Sequence, residues 1–237
     1  MVSPVPLRGE RGPFSYDWLH FVSRSGDEGR RWAEQYRQPE ILEIDRLSTR
    51  AVLALRTRRL EQGQALLRAV EERLPGTEAP PSVLQVLNRW YYGAVAYEQY
   101  CRDDFERASE SLDLADLALT AAISFQPMLL PLANHCQEFR LHQARISRNL
   151  RRWREMRSSI EVARKMTDSR APLCMLHDGT AIHIADLCVF LLALELNDRE
   201  REALAGVLDP TLRLDLFERF VADLQAIPGF VIPYRPS

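Results

Sequence analysis

Two short stretches carry the side chains best suited to metal chemistry: FRLHQARIS at 139–147 and CMLHDGTA at 174–181. The first holds His142 and the second the adjacent His177 and Asp178, and neutral imidazole and carboxylate are side chains suited to hydrolytic divalent metals. The other histidines, His20, His135 and His183, stand alone. The chain has no Ser/His/Asp context, glycine-rich phosphate loop or zinc-ligand spacing. Lys165 is its only lysine, which leaves lysine-based nucleophilic or Schiff-base chemistry almost without a candidate.

The two stretches resemble the early motifs of the HD phosphohydrolase superfamily, an all-helical fold. That resemblance implies His142, His177 and Asp178 as metal ligands, with Asp186 or Asp223 as the last. Gly179 follows the His-Asp pair where the superfamily continues a helix, and the superfamily's lysine shortly afterwards is absent. The competing reading makes Asp178 the N-terminal cap of the following helix.

Composition describes a chain able to bury a sizeable core: 46% hydrophobic and 27% charged residues, with 10 Gly and 14 Pro in 237 residues. One contiguous unit is expected at this length. The net charge of -2 argues against a dedicated nucleic-acid binder. Cys101, Cys136, Cys174 and Cys188 include no pair at CxxC spacing and sit in or beside apolar runs, as buried free thiols do. The longest apolar run, around 188–196, is far short of the ~20 residues a membrane span needs, so no membrane association is expected. No signal segment is read, and the cytoplasm is the expected compartment.

Helical periodicity organises the chain. Residues 1–38 form an irregular N-terminal cap in which proline and glycine prevent early structure, with short helices near 15–23 and 27–37. After Pro39, a favourable first-turn residue, Ile41, Ile44, Leu47, Ala51, Ala54 and Leu55 recur on one helical face. That helix pairs with one over 60–74. The loop PGTEAPPS at 75–82 separates it from a second pair, 82–102 and 104–123, with Asp103 or Asp104 as cap. A third pair covers 132–150 and 152–167. Helices over 180–196, 200–207 and 211–227 fill a C-terminal segment, 168–227, and a Pro-rich tail occupies 228–237. The fold class is all-α, antiparallel helical hairpins stacked as an α-solenoid or a compact helical array.

Aligned on the large residue that opens each second helix, the three pairs share a register. Leu60-x-x-Gly63-x-x-x-Leu67-x-x-Val70 matches Phe105-x-x-Ala108-x-x-x-Leu112-x-x-Ala115 and Trp153-x-x-Met156-x-x-x-Ile160-x-x-Ala163. The same offset aligns Ala51, Ala96 and Ala144. Small residues at such positions let antiparallel helices approach closely.

This register resembles the tetratricopeptide-repeat family over residues 40–165, best at Ala96, Phe105, Ala108, Leu112 and Ala115. Spacings of 45 and 48 residues between the opening large residues, against ~34 in the standard repeat, require longer helices or loops. The resemblance implies a groove lined by the first helices and selects Arg56, then Trp90, Tyr97 and Tyr100, then Arg145, Arg148 and Asn149 as the residues facing it. Helical spacing independently sets 90, 97 and 100 on one face, and 145, 148 and 149 on another. Aromatic faces offer contact area, and arginine forks onto carboxylates. The expected partner is therefore a protein or peptide bearing acidic groups, and no cofactor is required.

Charge is banded along the chain. Residues 98–116 are acidic and 140–170 are basic, which lets neighbouring hairpins attract each other. The stretch RISRNLRRWR at 145–154 also leaves open a nucleic-acid reading through arginine and an interleaved Trp153.

Overall fold

A computed structural model describes residues 18–165, 173–175, 181–183 and 196–204. Nine helices are described: α1 (Trp18–Ser23), α2 (Gly26–Tyr36), α3 (Pro39–Arg56), α4 (Leu60–Arg73), α5 (Pro81–Cys101), α6 (Phe105–Phe125), α7 (Asn134–Asn149), α8 (Trp153–Lys165) and α9 (Asp198–Leu204). Short 3-10 turns at Leu74–Gly76 and Pro127–Ala133 precede α5 and α7. Prolines punctuate this order as their fixed backbone requires: Pro39 and Pro81 stand in first turns of α3 and α5.

One region departs from helix. Leu173–Met175 and Ala181–His183 form strands β1 and β2, paired antiparallel with Leu173 opposite His183. The expected helix over 180–196 therefore does not include residues 181–183. Two apolar triplets around a Gly-containing stretch are a hairpin signal, and it prevails here over the helical reading. The expected helix over 211–227 and the tail lie outside the described residues.

The three hairpins α3–α4, α5–α6 and α7–α8 turn in the same way. Arg58, Asp103 and Arg151 each take a left-handed backbone, with φ of 60°, 62° and 58°. Each donates its N–H to the carbonyl three residues earlier: Leu55, Tyr100 and Arg148. The next residues, Arg59, Asp104 and Arg152, donate to Ala54, Gln99 and Ser147 at 2.8, 3.0 and 2.7 Å. This is the paired closure of a Schellman motif. The second helix then starts identically, with Gly63, Ala108 and Met156 donating to the carbonyls of those same three residues at 3.0 Å. Asp104 caps α6 through its backbone alone: its side chain makes no capping bond, and its carboxylate lies 3.7 Å from Arg107.

The aligned positions are buried in all three pairs. Ala51, Ala96 and Ala144 are buried, as are Gly63, Ala108 and Met156, Leu67, Leu112 and Ile160, and Val70, Ala115 and Ala163. At Gly63 a Cβ would stand 2.7 Å from the Leu55 side chain, so the first crossing has no room for a methyl group unless Leu55 shifts. The large residues opening the second helices behave differently. Phe105 packs edge-on against Tyr100 at 5.5 Å, while Leu60 and Trp153 are exposed. They stand in the first position beyond the turn, where the helix pair has not yet closed over them.

Contacts between hairpins fix helix directions. Gln64 donates to Glu98 at 2.6 Å and Leu67 packs with Ala94, so α4 and α5 run antiparallel. Gln143 donates to Ser109 at 2.6 Å and Arg140 to Asp116 at 2.8 Å, so α6 and α7 do the same. Phe139 lies against Gly93 and Asn149 reaches Tyr100, so α5 and α7 run in the same direction. Ion pairs also cross between the bands of opposite charge, at Arg140–Asp116 (2.8 Å) and Arg152–Glu106 (2.6 Å).

The N-terminal helices close one end of the core. Trp32 and Tyr36 of α2 are buried and stacked 5.3 Å apart, and the Trp32 indole donates to Ser82 at 2.8 Å. Gly29 has no room for a side chain: a Cβ would collide with the Val22 carbonyl. At the other end, Leu196 and Leu204 bury against Leu141, Met156 and Ile160 of α7 and α8. Fully burying each such side chain contributes about 1.5–3 kcal/mol.

Candidate functional site

Because α5 and α7 run in one direction, their last turns lie at the same end of the molecule, together with the last residue of α3. Arg56 ends α3, Tyr97 and Tyr100 lie in the last two turns of α5, and Arg145, Arg148 and Asn149 in the last two turns of α7. Arginine at such ends also complements the helix dipole.

Arg56 and Tyr97 are brought together across α3 and α5, close enough for the guanidinium charge to act on the phenol. Arg56 is exposed and forms no ion pair among the described residues. Tyr97 is mostly enclosed, and burial raises its hydroxyl above the ordinary value; Cys101 adds to the rise and Arg56 opposes it. Cys101 stands one turn further along α5, and its thiol value is also pushed up, chiefly by burial. Neither group is primed as a nucleophile, which would need a lowered value.

Tyr100 and Asn149 meet across α5 and α7. The Asn149 amide donates to the Tyr100 hydroxyl at 3.2 Å while Asn149 itself remains exposed. A polar edge therefore runs from Arg56 past Tyr97 and Tyr100 to Asn149.

Arg148 already holds a carboxylate. Its Nε and NH2 donate to the two oxygens of Glu200, from α9, at 3.0 and 2.8 Å. The pair is partly enclosed, with side chains 26% and 13% exposed, where a bidentate contact is stronger than one in open water. Glu200 also accepts the Asn197 N–H at 2.9 Å, and the Asn197 side chain accepts the Glu200 N–H at 2.9 Å, a reciprocal capping box. Burial of Glu200 disfavours its charge, but the Arg148 hydrogen bonds, the Asn197 N–H and the Arg148 charge outweigh that cost and lower its pKa.

Arg145 turns toward His142, its NH1 standing 3.3 Å from the ring Nδ1. The guanidinium stands at one of the two ring nitrogens, either of which can coordinate a metal. His177, Asp178, Asp186 and Asp223 lie outside the described residues. Among the described residues no group of His, Cys, Asp and Glu is arranged to hold a metal ion.

Trp90 is committed to packing rather than to the polar edge. It lies against the main core, with the Arg89 guanidinium 3.6 Å above its ring and 4.5 Å from that of Phe139. Tyr36 and Asp45 join this enclosed group: burial raises the Tyr36 hydroxyl, and the Asp45 charge raises it further. Helical spacing alone could not separate Trp90 from Tyr97, because both are partly buried on α5 and differ only in what packs against them. Arg89 escaped the sequence reading, as did Glu200. The Asn197-x-x-Glu200 spacing is a legible capping signal, although nothing local points to Arg148.

The basic stretch 145–154 is largely engaged within the fold. Arg148 is tied to Glu200, Arg152 to Glu106, and Arg145 to His142. None of the described helices is long and apolar enough to cross a membrane. Comparison with known protein families, curated proteins and solved structures found no match.

Proposed function

We propose that this chain is a protein-interaction adaptor of the cytoplasm, built as a divergent tetratricopeptide-like array, whose polar edge takes a peptide or protein segment bearing acidic groups. The observation that carries this reading is the Arg148–Glu200 contact, in which the end of α7 receives a helix-borne carboxylate in bidentate geometry. The recurrent turns and buried register support the repeat architecture. The rest of the edge, the exposed Arg56 and Asn149 with the partly buried Tyr97 and Tyr100 between them, offers one uncommitted cation and three aromatic or amide groups beside that contact. A partner carboxylate at Arg56 would be held as Glu200 is held at Arg148, with its chain running over the tyrosines.

The test is fluorescence anisotropy with a labelled 12-residue Ala/Glu peptide carrying a free C-terminal carboxylate, against an Ala/Gln counterpart ending in an amide. The adaptor reading expects the acidic peptide to bind at least tenfold more tightly, and Arg56→Ala with Tyr97→Ala to remove that preference while helicity is retained. Equal binding of the two peptides, or an undiminished preference in the double variant, contradicts it.

A further inference from the structure

A second surface lies on α6. Its buried face is made by Ala108, Leu112, Ala115, Leu119 and Ala122. Turned away from that face are Leu114, Leu117 and Phe125, which are 44%, 66% and 56% exposed. With the half-buried Ala121 they follow spacings of three, four and four, so they form one stripe about 17 Å long. Leu130, in the 3-10 turn that follows, is also exposed. An apolar stripe of this kind on an otherwise polar surface marks an interaction site.

The stripe continues into acidic residues toward the start of the helix. Glu110 stands one turn before Leu114 on the same line, and Asp113 flanks it. Neither makes an ion pair among the described residues: Arg107 lies beside Asp104, and Arg140, whose charge acts on Asp113, is bonded to Asp116. A second copy of the chain would be a poor occupant. Antiparallel pairing of two α6 helices sets the acidic half of each on the apolar half of the other, and parallel pairing sets acid against acid. An occupant that satisfies both halves needs an apolar stripe at helical spacing and cations at one end.

We infer that the outer face of α6 is a docking surface for an amphipathic helix of another protein, with lysine or arginine at the end that meets Glu110 and Asp113. Leu114, Leu117 and Phe125 supply the apolar contact, and the two carboxylates set the direction in which the helix lies. This surface is separate from the polar edge at the ends of α3, α5 and α7, so the two can be occupied independently.

The test uses the full chain and a fluorescein-labelled 18-residue Leu/Lys peptide with leucines at helical spacing and lysines concentrated at one end. A scrambled peptide of equal composition and a Leu/Glu peptide of equal spacing are the controls. The expected result is binding of the periodic Leu/Lys peptide at least tenfold tighter than either control. Leu117→Ser with Phe125→Ser, and separately Glu110→Arg with Asp113→Arg, should each weaken it at least tenfold. All six side-chain changes are judged only in variants that keep wild-type helicity, and Arg56→Ala with Tyr97→Ala should leave this binding unchanged. Equal affinity for the scrambled peptide, or undiminished binding by the Leu117/Phe125 variant, overturns the inference. So does self-association of the full chain that Leu117→Ser abolishes, which would make a second copy the occupant. Binding that emerges only after deletion of residues 205–237 would assign the face to that segment and overturns it equally.

Discussion

Replacing Arg58 or Arg151 by glycine should stabilise the fold, and the reason lies in one backbone angle. Both residues hold φ near +60° at the hairpin turns, a conformation that costs a residue with a Cβ about 1–2 kcal/mol. Glycine removes that cost but gives back about 0.5–1 kcal/mol through its greater freedom in the unfolded chain. The net expected gain is about 0.5–1 kcal/mol per turn, or a rise in Tm of about 1–4 °C for a chain of this size. Both side chains are exposed, so little packing is lost. Alanine at the same positions keeps the left-handed cost. Arg58→Gly should therefore be more stable than Arg58→Ala, the reverse of the order inside a helix, where alanine is favoured by about 1 kcal/mol. Asp103→Gly should gain less, because aspartate tolerates this conformation better than arginine. Urea unfolding of the five variants, monitored by far-ultraviolet circular dichroism, reads the effect. If glycine falls below alanine at both Arg58 and Arg151, the turns are not closed as described.

Other substitutions probe the packing and the charge contacts. Gly29→Ala, which puts a methyl group against the Val22 carbonyl, should destabilise the chain by more than about 2 kcal/mol and free α1 and α2 to limited proteolysis. Ala115→Leu, in the fully buried seam of α6, should cost about 1–3 kcal/mol in urea unfolding. Glu200→Gln should weaken the docking of α9 by about 1.5–3 kcal/mol, the usual contribution of hydrogen bonds to a charged group, visible as faster hydrogen exchange over 196–204. Because the Glu200 pKa is lowered in the folded chain, its contribution is fully present above the ordinary carboxylate value. It is lost as pH falls from there through the lowered folded value. Acid titration of the wild type should show this loss in α9 exchange, and Glu200→Gln should not.

What the sequence revealed follows from which signals are local. Pro39, Pro80 and Pro81 restrict the backbone wherever they occur, so the ends of the helices near them were legible to within a residue or two. The buried register from Ala51 to Ala163 was equally plain, because close helix crossings admit few side chains. The left-handed turns were hidden, since arginine and aspartate stand where glycine would have announced them. The exposure of Leu60 and Trp153 was not legible, because hydrophobic type does not distinguish a buried first turn from an exposed one. In the candidate site, the pairing of Tyr100 with Asn149 and of Arg56 with Tyr97 follows from the common direction of the first helices. Arg148 and Glu200 are 52 residues apart, and no local pattern joins them. Trp90 and Arg89 are adjacent in sequence, yet both turn inward because Phe139 of α7 and Tyr36 of α2 close over that part of α5.

The most direct measure of the adaptor account is a hydrogen-exchange footprint of the full chain with and without the Ala/Glu peptide. Binding at the polar edge predicts added protection at the last turns of α3, α5 and α7, around Arg56, Tyr97, Tyr100 and Asn149, with α6 unchanged. Protection confined to other elements, or none at saturating peptide, would contradict it.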